Sequence, residues 1–302
     1  MLSKKQGRTP TQLCIVHVDK VCSNPRKFST QLLCENLSLF FVFPTVEIDL
    51  GLFHEATQKF TEALKMASGH LKLTAAYGLG VSLLSIAKTQ AQDGKADAAL
   101  ECLELAIQNC TDDLIPSSLS IEKLRGDLHS FAAYLPLRAF GERASSNDDA
   151  DFLKAQIEFI SEGEGAYETA GNDAIEKFGM NELAAGLVTD CGTNVLVRAQ
   201  LIHNANFLKT GLPDFDLEYK RAAALFRRAL ELDSTFAPAW NGLGCALQRT
   251  PVLSQHAFCR AIELDKLAPD AYANLSFLYT SNSIISPSKE ISSTLTQVAD
   301  VS

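Results

Sequence analysis

The sequence predicts an all-α fold, a solenoid of stacked helical hairpins, because a stretch near its C-terminal end repeats itself. Phe226 recurs as Phe258, Leu243 recurs as Leu275, and the same interval separates the members of each pair. A self-match at about 30–35 residues is the signature of repeated helical hairpins, each of which buries its apolar face against the next.

A motif inside this stretch is the second observation. Small Gly244 and Ala261 are expected where paired helices come close, and Thr250 and Pro251 suit the start of a second helix, as N-cap and first helical residue. The residues follow the tetratricopeptide pattern W-x2-L-G, then A-x3-F, at Trp240, Leu243, Gly244, Ser254, Phe258 and Ala261.

Composition agrees with a folded helical protein. The chain has 302 residues, 46% hydrophobic and 21% charged, with a net charge of −9. Lysine and arginine never form a run longer than two, which argues against a large nucleic-acid-binding face. The eight cysteines show no disulfide spacing, so we expect reduced thiols and an intracellular location. Within the cell we expect the cytoplasm, with the nucleus as a further compartment.

No uninterrupted apolar run reaches the roughly 18 residues that span a bilayer. The longest, at residues 39–44, is far too short, and the N-terminus makes a poor signal peptide because His17 and Asp19 interrupt its apolar stretch. We therefore expect no membrane association.

Residues 1–45 show neither helical period nor repeat and are predicted to form an irregular, weakly ordered segment. Its Cys14, His17, Cys22 and Cys34 supply the ligand types of a tetrahedral zinc site. Their spacing matches no standard zinc motif, so the favoured interpretation is incidental apolar residues and no bound metal. A third interpretation is an alternative start to the chain.

Residues 46–110 are predicted to form tetratricopeptide-like helices. A second-helix pattern at residues 51–63 recurs at residues 94–106, and Leu79-Gly80 lies on a long helix between them. Asp93-Gly94 ends that long helix near Gln92.

Residues 111–215 are predicted to be irregular helical hairpins. An amphipathic run covers residues 118–134, and residues 144–149 form an acidic loop. A short helix at residues 151–162 is expected to break at the glycines of residues 163–165, and two further helices are expected at residues 182–188 and 193–209.

Residues 216–280 are the clear repeats, and residues 281–302 are predicted to be a flexible, serine-rich tail. The last hairpin lacks its second helix, so we expect the chain to be a piece of a longer solenoid. The residues expected to pack the repeats are Leu79, Gly80, Ala99, Leu103, Ala106, Phe226, Ala229, Trp240, Leu243, Gly244, Phe258, Ala261, Tyr272 and Leu275.

No catalytic motif is present: there is no P-loop, no G-x-G-x-x-G after a strand, no H-E-x-x-H and no G-x-S-x-G. We therefore expect a non-enzymatic protein without a cofactor. The candidate partner-binding residues are Asn241, Gln248, Arg249 and Asn274, which lie on the first helices of their hairpins. The alternative is that these four are ordinary solvated surface.

Three segments resemble the middle region of the tetratricopeptide scaffold subunit of the superkiller complex. They are residues 76–107, with Leu79-Gly80 and Ala98-Ala99; residues 123–127, which read K-L-R-G-D; and residues 237–258, which end in S-Q-H-A-F. The resemblance extends over residues 46–280, and because members of that family are much longer, it implies a fragment or shortened form.

The resemblance implies a non-catalytic scaffold that holds a DExH-type RNA helicase and WD-repeat subunits together. Such a complex feeds messenger RNA to the cytoplasmic RNA exosome for 3′-to-5′ decay, without a direct nucleic-acid site on the scaffold. One alternative is a general tetratricopeptide co-chaperone that captures C-terminal carboxylates, for which Arg249 alone is too little. Another is the repeat region of an enzyme whose catalytic domain lies elsewhere.

Overall fold

The structure, a computed structural model, describes residues 51–111, 115, 117–146, 148–204 and 214–285. This part of the chain consists of helices joined by short loops and turns and contains no strand, which confirms the predicted all-α class. Its helices are α1 (Phe53–Met66), α2 (His70–Gln92), α3 (Ala96–Cys110), α4 (Leu119–Phe131), α5 (Asp149–Phe178), α6 (Glu182–Asn204), α7 (Phe215–Leu232), α8 (Ala237–Ala246), α9 (Pro251–Leu264) and α10 (Pro269–Ile285).

The helices stack in chain order. Each helix packs on the one before it, and α2, α4, α6, α8 and α10 also touch one another in succession. The even-numbered helices therefore form one continuous layer, and the odd-numbered helices pack behind it. We call the surface of that layer the even-helix face. This arrangement is a tetratricopeptide-type solenoid with longer, irregular hairpins in the middle.

The first three helices agree with the sequence prediction. α2 ends at Gln92, and Gly94 follows with φ of 78°, a left-handed conformation that glycine adopts without strain. α2 packs tightly on α1: a Cβ built on Gly78 would lie 2.3 Å from the Phe60 ring. Only glycine leaves room for that ring.

By length and composition alone, α2 is also long and apolar enough to cross a membrane. The sequence prediction considered only uninterrupted apolar runs. α2 contains polar residues, but its mean hydropathy over 18 residues is high enough for a membrane span. Half of its apolar stretch is buried inside the protein, because α1, α3 and α4 all pack against it. A core helix in contact with three neighbours needs apolar residues on most of its sides, which accounts for the composition.

Side-chain hydrogen bonds stabilise both ends of α4. Ser118 caps the start of α4, since its Oγ accepts the backbone N–H of Ile121 at 3.3 Å. Beyond the end of α4, buried Gln156 on α5 donates from Nε2 to the carbonyl oxygens of Ala132 and Leu135, at 3.0 and 2.9 Å. The Ala132 carbonyl also accepts the backbone N–H of Leu135 at 3.1 Å, so Gln156 adds a second hydrogen bond there and ties α5 to the turn after α4.

The predicted break at residues 163–165 is wrong, because α5 runs unbroken through both glycines. Gly163 is a contact point: a Cβ there would lie 2.7 Å from the Cβ of His129 on α4. Gly165 points to open space, with nothing within 4 Å. The helix tolerates both glycines because its packing against α4 and α6 outweighs their weak helix propensity.

The predicted pair of helices at residues 182–188 and 193–209 is also wrong. One helix, α6, covers Glu182–Asn204 and passes through Gly192. A Cβ on Gly192 would lie 3.0 Å from the Phe226 ring of α7, so this glycine also marks a close approach between helices. Residues 205–209 lie outside the described residues.

A buried ion network joins α5, α6 and α7. Arg198 is 5% exposed and donates to Glu164 at 2.9 Å, to Ser161 at 3.0 Å and to Glu218 at 3.1 Å. Arg221 contacts the same two carboxylates from the rim. The two arginines balance the charge of Glu164 and Glu218, as burial of such groups requires.

The repeats from α7 to α10 follow the prediction, with two corrections. Thr250 precedes α9, but its hydroxyl donates to the carbonyl of Leu247 at 2.9 Å and makes no cap. The predicted tail boundary at residue 281 is too early, because α10 continues to Ile285. Residues 286–302 lie outside the described residues.

Most of the residues expected to pack the repeats are buried. The exceptions are Trp240 and Tyr272, which are half-buried. Trp240 donates from Nε1 to the carbonyl of Ser234 at 2.9 Å, so its polar edge stays near the surface. The other twelve are buried, namely Leu79, Gly80, Ala99, Leu103, Ala106, Phe226, Ala229, Leu243, Gly244, Phe258, Ala261 and Leu275.

The cysteines in the described part of the chain are free thiols. Burial raises the pKa of Cys110 and of Cys191 to about 12 each, which makes these two thiols inert at neutral pH. Cys14, His17, Cys22 and Cys34, for which a zinc site was the less favoured interpretation, lie outside the described residues.

We predict opposite effects of alanine at the two glycines of α5. Gly163→Ala forces its Cβ against His129 and should lower the free energy of unfolding by about 1–3 kcal/mol. Gly165→Ala meets open space and should raise it by up to about 1 kcal/mol, because alanine favours the helix. Urea unfolding of the full chain measures both; similar changes in the two variants would contradict the packing role of Gly163.

Buried His129 should make the stability of the chain depend on pH. It is 1% exposed, and burial, with Arg125 and Arg143 nearby, lowers its pKa to about 4, although the nearby Phe159 backbone opposes the shift. In the unfolded chain the His129 imidazole is protonated as the pH falls below about 6.5, whereas in the folded chain it stays neutral until about pH 4. Stability should therefore fall as pH drops through that window, by up to about 3 kcal/mol.

The measurement is the free energy of unfolding between pH 7.5 and about 4 for the natural chain and for His129→Gln. Glutamine does not titrate, so the variant should lose part of the pH slope whatever its stability at neutral pH. Equal slopes would show that other groups carry the pH dependence.

Candidate partner-binding face

Two of the four predicted binding residues meet across neighbouring repeats. Asn274 on α10 donates from Nδ2 to Oδ1 of Asn241 on α8, at 3.0 Å. Both side chains are half-buried. The pair links successive even-numbered helices and leaves the Asn274 carbonyl and the Asn241 amino group available to a partner.

Gln248 lies beside this pair. Because α8 ends at Ala246, Gln248 and Arg249 lie in the turn after it and not on the helix predicted for them. It donates from Nε2 to the Tyr219 hydroxyl at 2.9 Å, which leaves its carbonyl as an acceptor. A cavity of about 230 Å³ opens here between α6, α8 and α10. We call it the C-terminal groove, and the residues that define it are Gln200, Cys245, Gln248, Asn274, Phe277 and Ser281.

Arg249 lies apart from the other three. It forms an ion pair with Asp216, and its guanidinium carbon lies 5.8 Å from the centre of the Phe215 ring. It borders a different cavity, of about 350 Å³, between α7 and α8. Lys220 and Arg227 border the same cavity, so three cations face one carboxylate; we call this the basic cleft.

A second groove on the even-helix face was missed by the sequence prediction. It has a volume of about 440 Å³ and lies between α2, α4 and the turn after α4. Tyr134 is 74% exposed there, and Lys88 Nζ lies 6.0 Å from the centre of the Phe131 ring. We call it the central groove, defined by Leu84, Lys88, Asp127, Phe131, Tyr134 and Tyr167.

The K-L-R-G-D element borders this groove. Lys123 Nζ donates to both oxygens of Asp127, at 3.0 and 2.9 Å, and lies 3.5 Å from Asp190 on α6. A Cβ on Gly126 would lie 2.6 Å from the Tyr167 ring. Glycine therefore lets Tyr167 reach from α5 and donate its hydroxyl to Asp127 at 2.8 Å.

The electrostatics of this cluster follow from partial burial. Burial, together with the charge of Asp127, raises the pKa of Asp190 although Lys123 opposes the shift. The pKa of Lys123 is also raised: burial alone would lower it, but the hydrogen bonds and charges of Asp127 and Asp190 prevail. The i, i+4 spacing of Lys123 and Asp127 was the available sequence signal, whereas the approach of Asp190 needs the packed helices.

The two grooves present hydrogen-bonding and aromatic groups. Within the described ranges no cluster of three or more His, Cys, Asp or Glu is placed to hold a metal ion. The arrangement suits recognition of a polypeptide, because amides, hydroxyls and half-exposed rings line a surface formed by successive helices.

Comparison with known proteins identifies no relative by sequence. No protein-family model matches the chain, and no curated protein matches it. The C-terminal part of a TPR repeat-containing protein from Cytophaga hutchinsonii is similar in structure, with 14% identity, a TM-score of 0.25, and coverage of 80% of this chain and 88% of that one.

Two further structures are similar at the same level. The nuclear import adaptor Nro1 of S. pombe has 8% identity and a TM-score of 0.28, over 85% of this chain and 99% of that one. A tetratricopeptide repeat protein from Parabacteroides merdae has 14% identity and a TM-score of 0.22, over 81% and 99%. Because these TM-scores are low, the fold assignment rests on the helix contacts of the chain itself.

Proposed function

We propose that this chain is a non-catalytic scaffold that holds a segment of a partner protein along its even-helix face. The observation that carries the proposal is the pair of grooves on one face, which expose large aromatic side chains beside unpaired hydrogen-bonding groups. Tyr134 is 74% exposed in the central groove, and Phe277 is 68% exposed in the C-terminal groove. Aromatic residues in such positions commonly dominate the energy of a protein interface.

We further propose that the scaffold is of the superkiller-complex type. The support is the sequence resemblance, whose elements have specific positions in the fold. K-L-R-G-D borders the central groove. In S-Q-H-A-F, buried Ser254 donates to the Gly244 carbonyl at 2.7 Å, and Gln255 donates to the Tyr279 hydroxyl at 2.9 Å. His256 lies against Trp240, with ring centres 6.2 Å apart.

On this proposal the partners are an RNA helicase and WD-repeat proteins, and the process is cytoplasmic messenger-RNA decay by the RNA exosome. The chain itself would supply surface and no catalysis. Its net charge of −9 fits protein partners better than direct contact with RNA.

The test is affinity purification of the tagged full chain, followed by mass spectrometry. We expect recovery of a helicase and a WD-repeat protein, and severalfold lower recovery with Tyr134→Ser or Phe277→Ser, because these rings occupy the two grooves. Phe178→Ser is the matched control, since Phe178 is 59% exposed at the end of α5, away from both grooves. Chaperones as the sole recovered proteins would exclude the superkiller assignment; equal losses in all three variants would exclude the grooves.

A second candidate function is capture of a carboxylate-bearing peptide, as in a general tetratricopeptide adaptor. Arg249 alone seemed too little for this from the sequence. The basic cleft adds Lys220 and Arg227, and these two make no hydrogen bond or ion pair with the described residues. Three cations against Asp216 favour an anionic ligand.

A labelled Gly/Ser peptide ending in two aspartates tests this candidate. We expect it to bind, with Arg249→Ala weakening binding about two- to fivefold, the scale of an exposed ion pair. Arg228→Ala is the control, because Arg228 bonds to Asn172 at 3.1 Å instead of facing the cleft. Equal binding of a peptide with amidated C-terminus and Asn in place of Asp would exclude carboxylate capture.

A further inference from the structure

A small pocket opens beside the central groove, where α4, α5 and α6 meet, and the two share Ser130, Tyr134 and Tyr167 as lining residues. Its volume is about 80 Å³, room for a few water molecules or one small polar group. We call it the inner pocket, and the polar and aromatic residues that line it are Ser130, Tyr134, Tyr167, Asp190, Thr193 and Asn194. The proposed scaffold function assigns no role to this pocket.

Asn194, which lines the inner pocket, has a buried acceptor without a donor. Asn194 is 2% exposed, and its Nδ2 donates to Ser130 Oγ at 2.7 Å and to the carbonyl of Ile160 at 3.2 Å. The Ile160 carbonyl can only accept, so the orientation of the amide is settled. Oδ1 then has no hydrogen-bond partner among the described residues. A buried acceptor of this kind requires a donor.

The charge on the pocket wall points to a positively charged donor. Asp190 carries the one formal charge among the described residues that line the pocket. Behind it, Lys123 lies 2.9 Å from Asp127 and 3.5 Å from Asp190, so one ammonium is shared by two carboxylates. The cluster therefore keeps a net negative charge, and the ion pair of Lys123 with Asp190 is the longer of the two.

An aromatic wall completes the site. Tyr134 lines both the inner pocket and the central groove, and its ring is largely exposed. Aromatic faces attract cations, and this groove already contains one such contact, between Lys88 and Phe131. A planar cation can stack on the ring while its N–H groups point at Asp190 and Asn194.

We propose that the inner pocket receives the guanidinium of one arginine from the partner segment that lies in the central groove. This inference rests on the proposed scaffold function and names what the partner must carry. Guanidinium is the fitting group because it is planar, stacks on aromatic rings and carries five donors. An ammonium is a compact point charge that cannot stack in this way. An anionic group would face Asp190 and the orphan Asn194 acceptor, which repel it.

The raised pKa of Asp190 is consistent with this assignment. A carboxylate that is partly desolvated and underpaired is stabilised in its charged form when a second cation arrives. Partner binding would thus complete the pairing that Lys123 begins.

The test is an NMR titration of the isotope-labelled full chain with N-acetyl-arginine methylamide and with its neutral isostere, N-acetyl-citrulline methylamide. We expect the arginine probe to shift the Asn194 side-chain amide signals in a saturable manner and the citrulline probe to bind at least about tenfold more weakly. Equal binding of the two probes, or shifts that map elsewhere, would overturn the proposal.

Asp190→Asn is the test variant, because it removes the charge and keeps the size. It should weaken the arginine probe about tenfold. Asp173→Asn is the matched control: Asp173 also pairs with a lysine, Lys177 at 2.7 Å, but lies on α5 away from the pocket. Unchanged affinity in Asp190→Asn, with thermal unfolding showing that it folds, would overturn the inference.

The two proposals fail separately. If the titration fails while affinity purification recovers partners, the arginine pocket is wrong and the scaffold function stands. If the titration succeeds while purification recovers no partner, the scaffold function is wrong and the pocket retains its affinity for guanidinium.

Discussion

Aromatic rings packed on glycines of the neighbouring helix set the spacing of this solenoid. A Cβ on Gly242 or Gly244 would lie 2.3 or 2.4 Å from the rings of Phe226 and Phe258 respectively. Both rings are buried because the facing helix has no side chain at the contact. The same contact between a ring and a glycine joins α1 and α2, at Phe60 and Gly78. It brings these odd-numbered helices close behind the even-numbered layer.

The central groove depends on the same constraint. Gly126 leaves space for the Tyr167 ring, which carries a hydroxyl from the odd-numbered layer to Asp127 on the even-helix face. Gly163 brings α5 against α4 at His129, one turn from that tyrosine. Close helix contact therefore does more than stabilise the fold, because it brings a polar group from a rear helix to the surface that a partner would touch.

Two ionic clusters on neighbouring helices differ in whether all their charged and polar groups have partners. Around Arg198, two arginines meet two carboxylates, and each guanidinium has acceptors close by, so nothing is left for a ligand. Around Asp190, one lysine serves two carboxylates, and the Asn194 carbonyl has no donor among the described residues. A satisfied cluster fastens helices together, whereas an unsatisfied one has capacity for a partner.

The sequence by itself determined the all-α class, the repeats from α7 to α10 and the end of α2, because apolar periodicity and turn residues act locally. It could not decide whether Gly163 breaks a helix or admits a neighbour, since that depends on His129 across the interface. Nor could it separate Gln248 from Arg249, which are adjacent in the chain but border different cavities. Only the tertiary structure brought Lys123 to Asp190 and Asn194, because Lys123 lies on α4 and the other two lie on α6, far away in sequence.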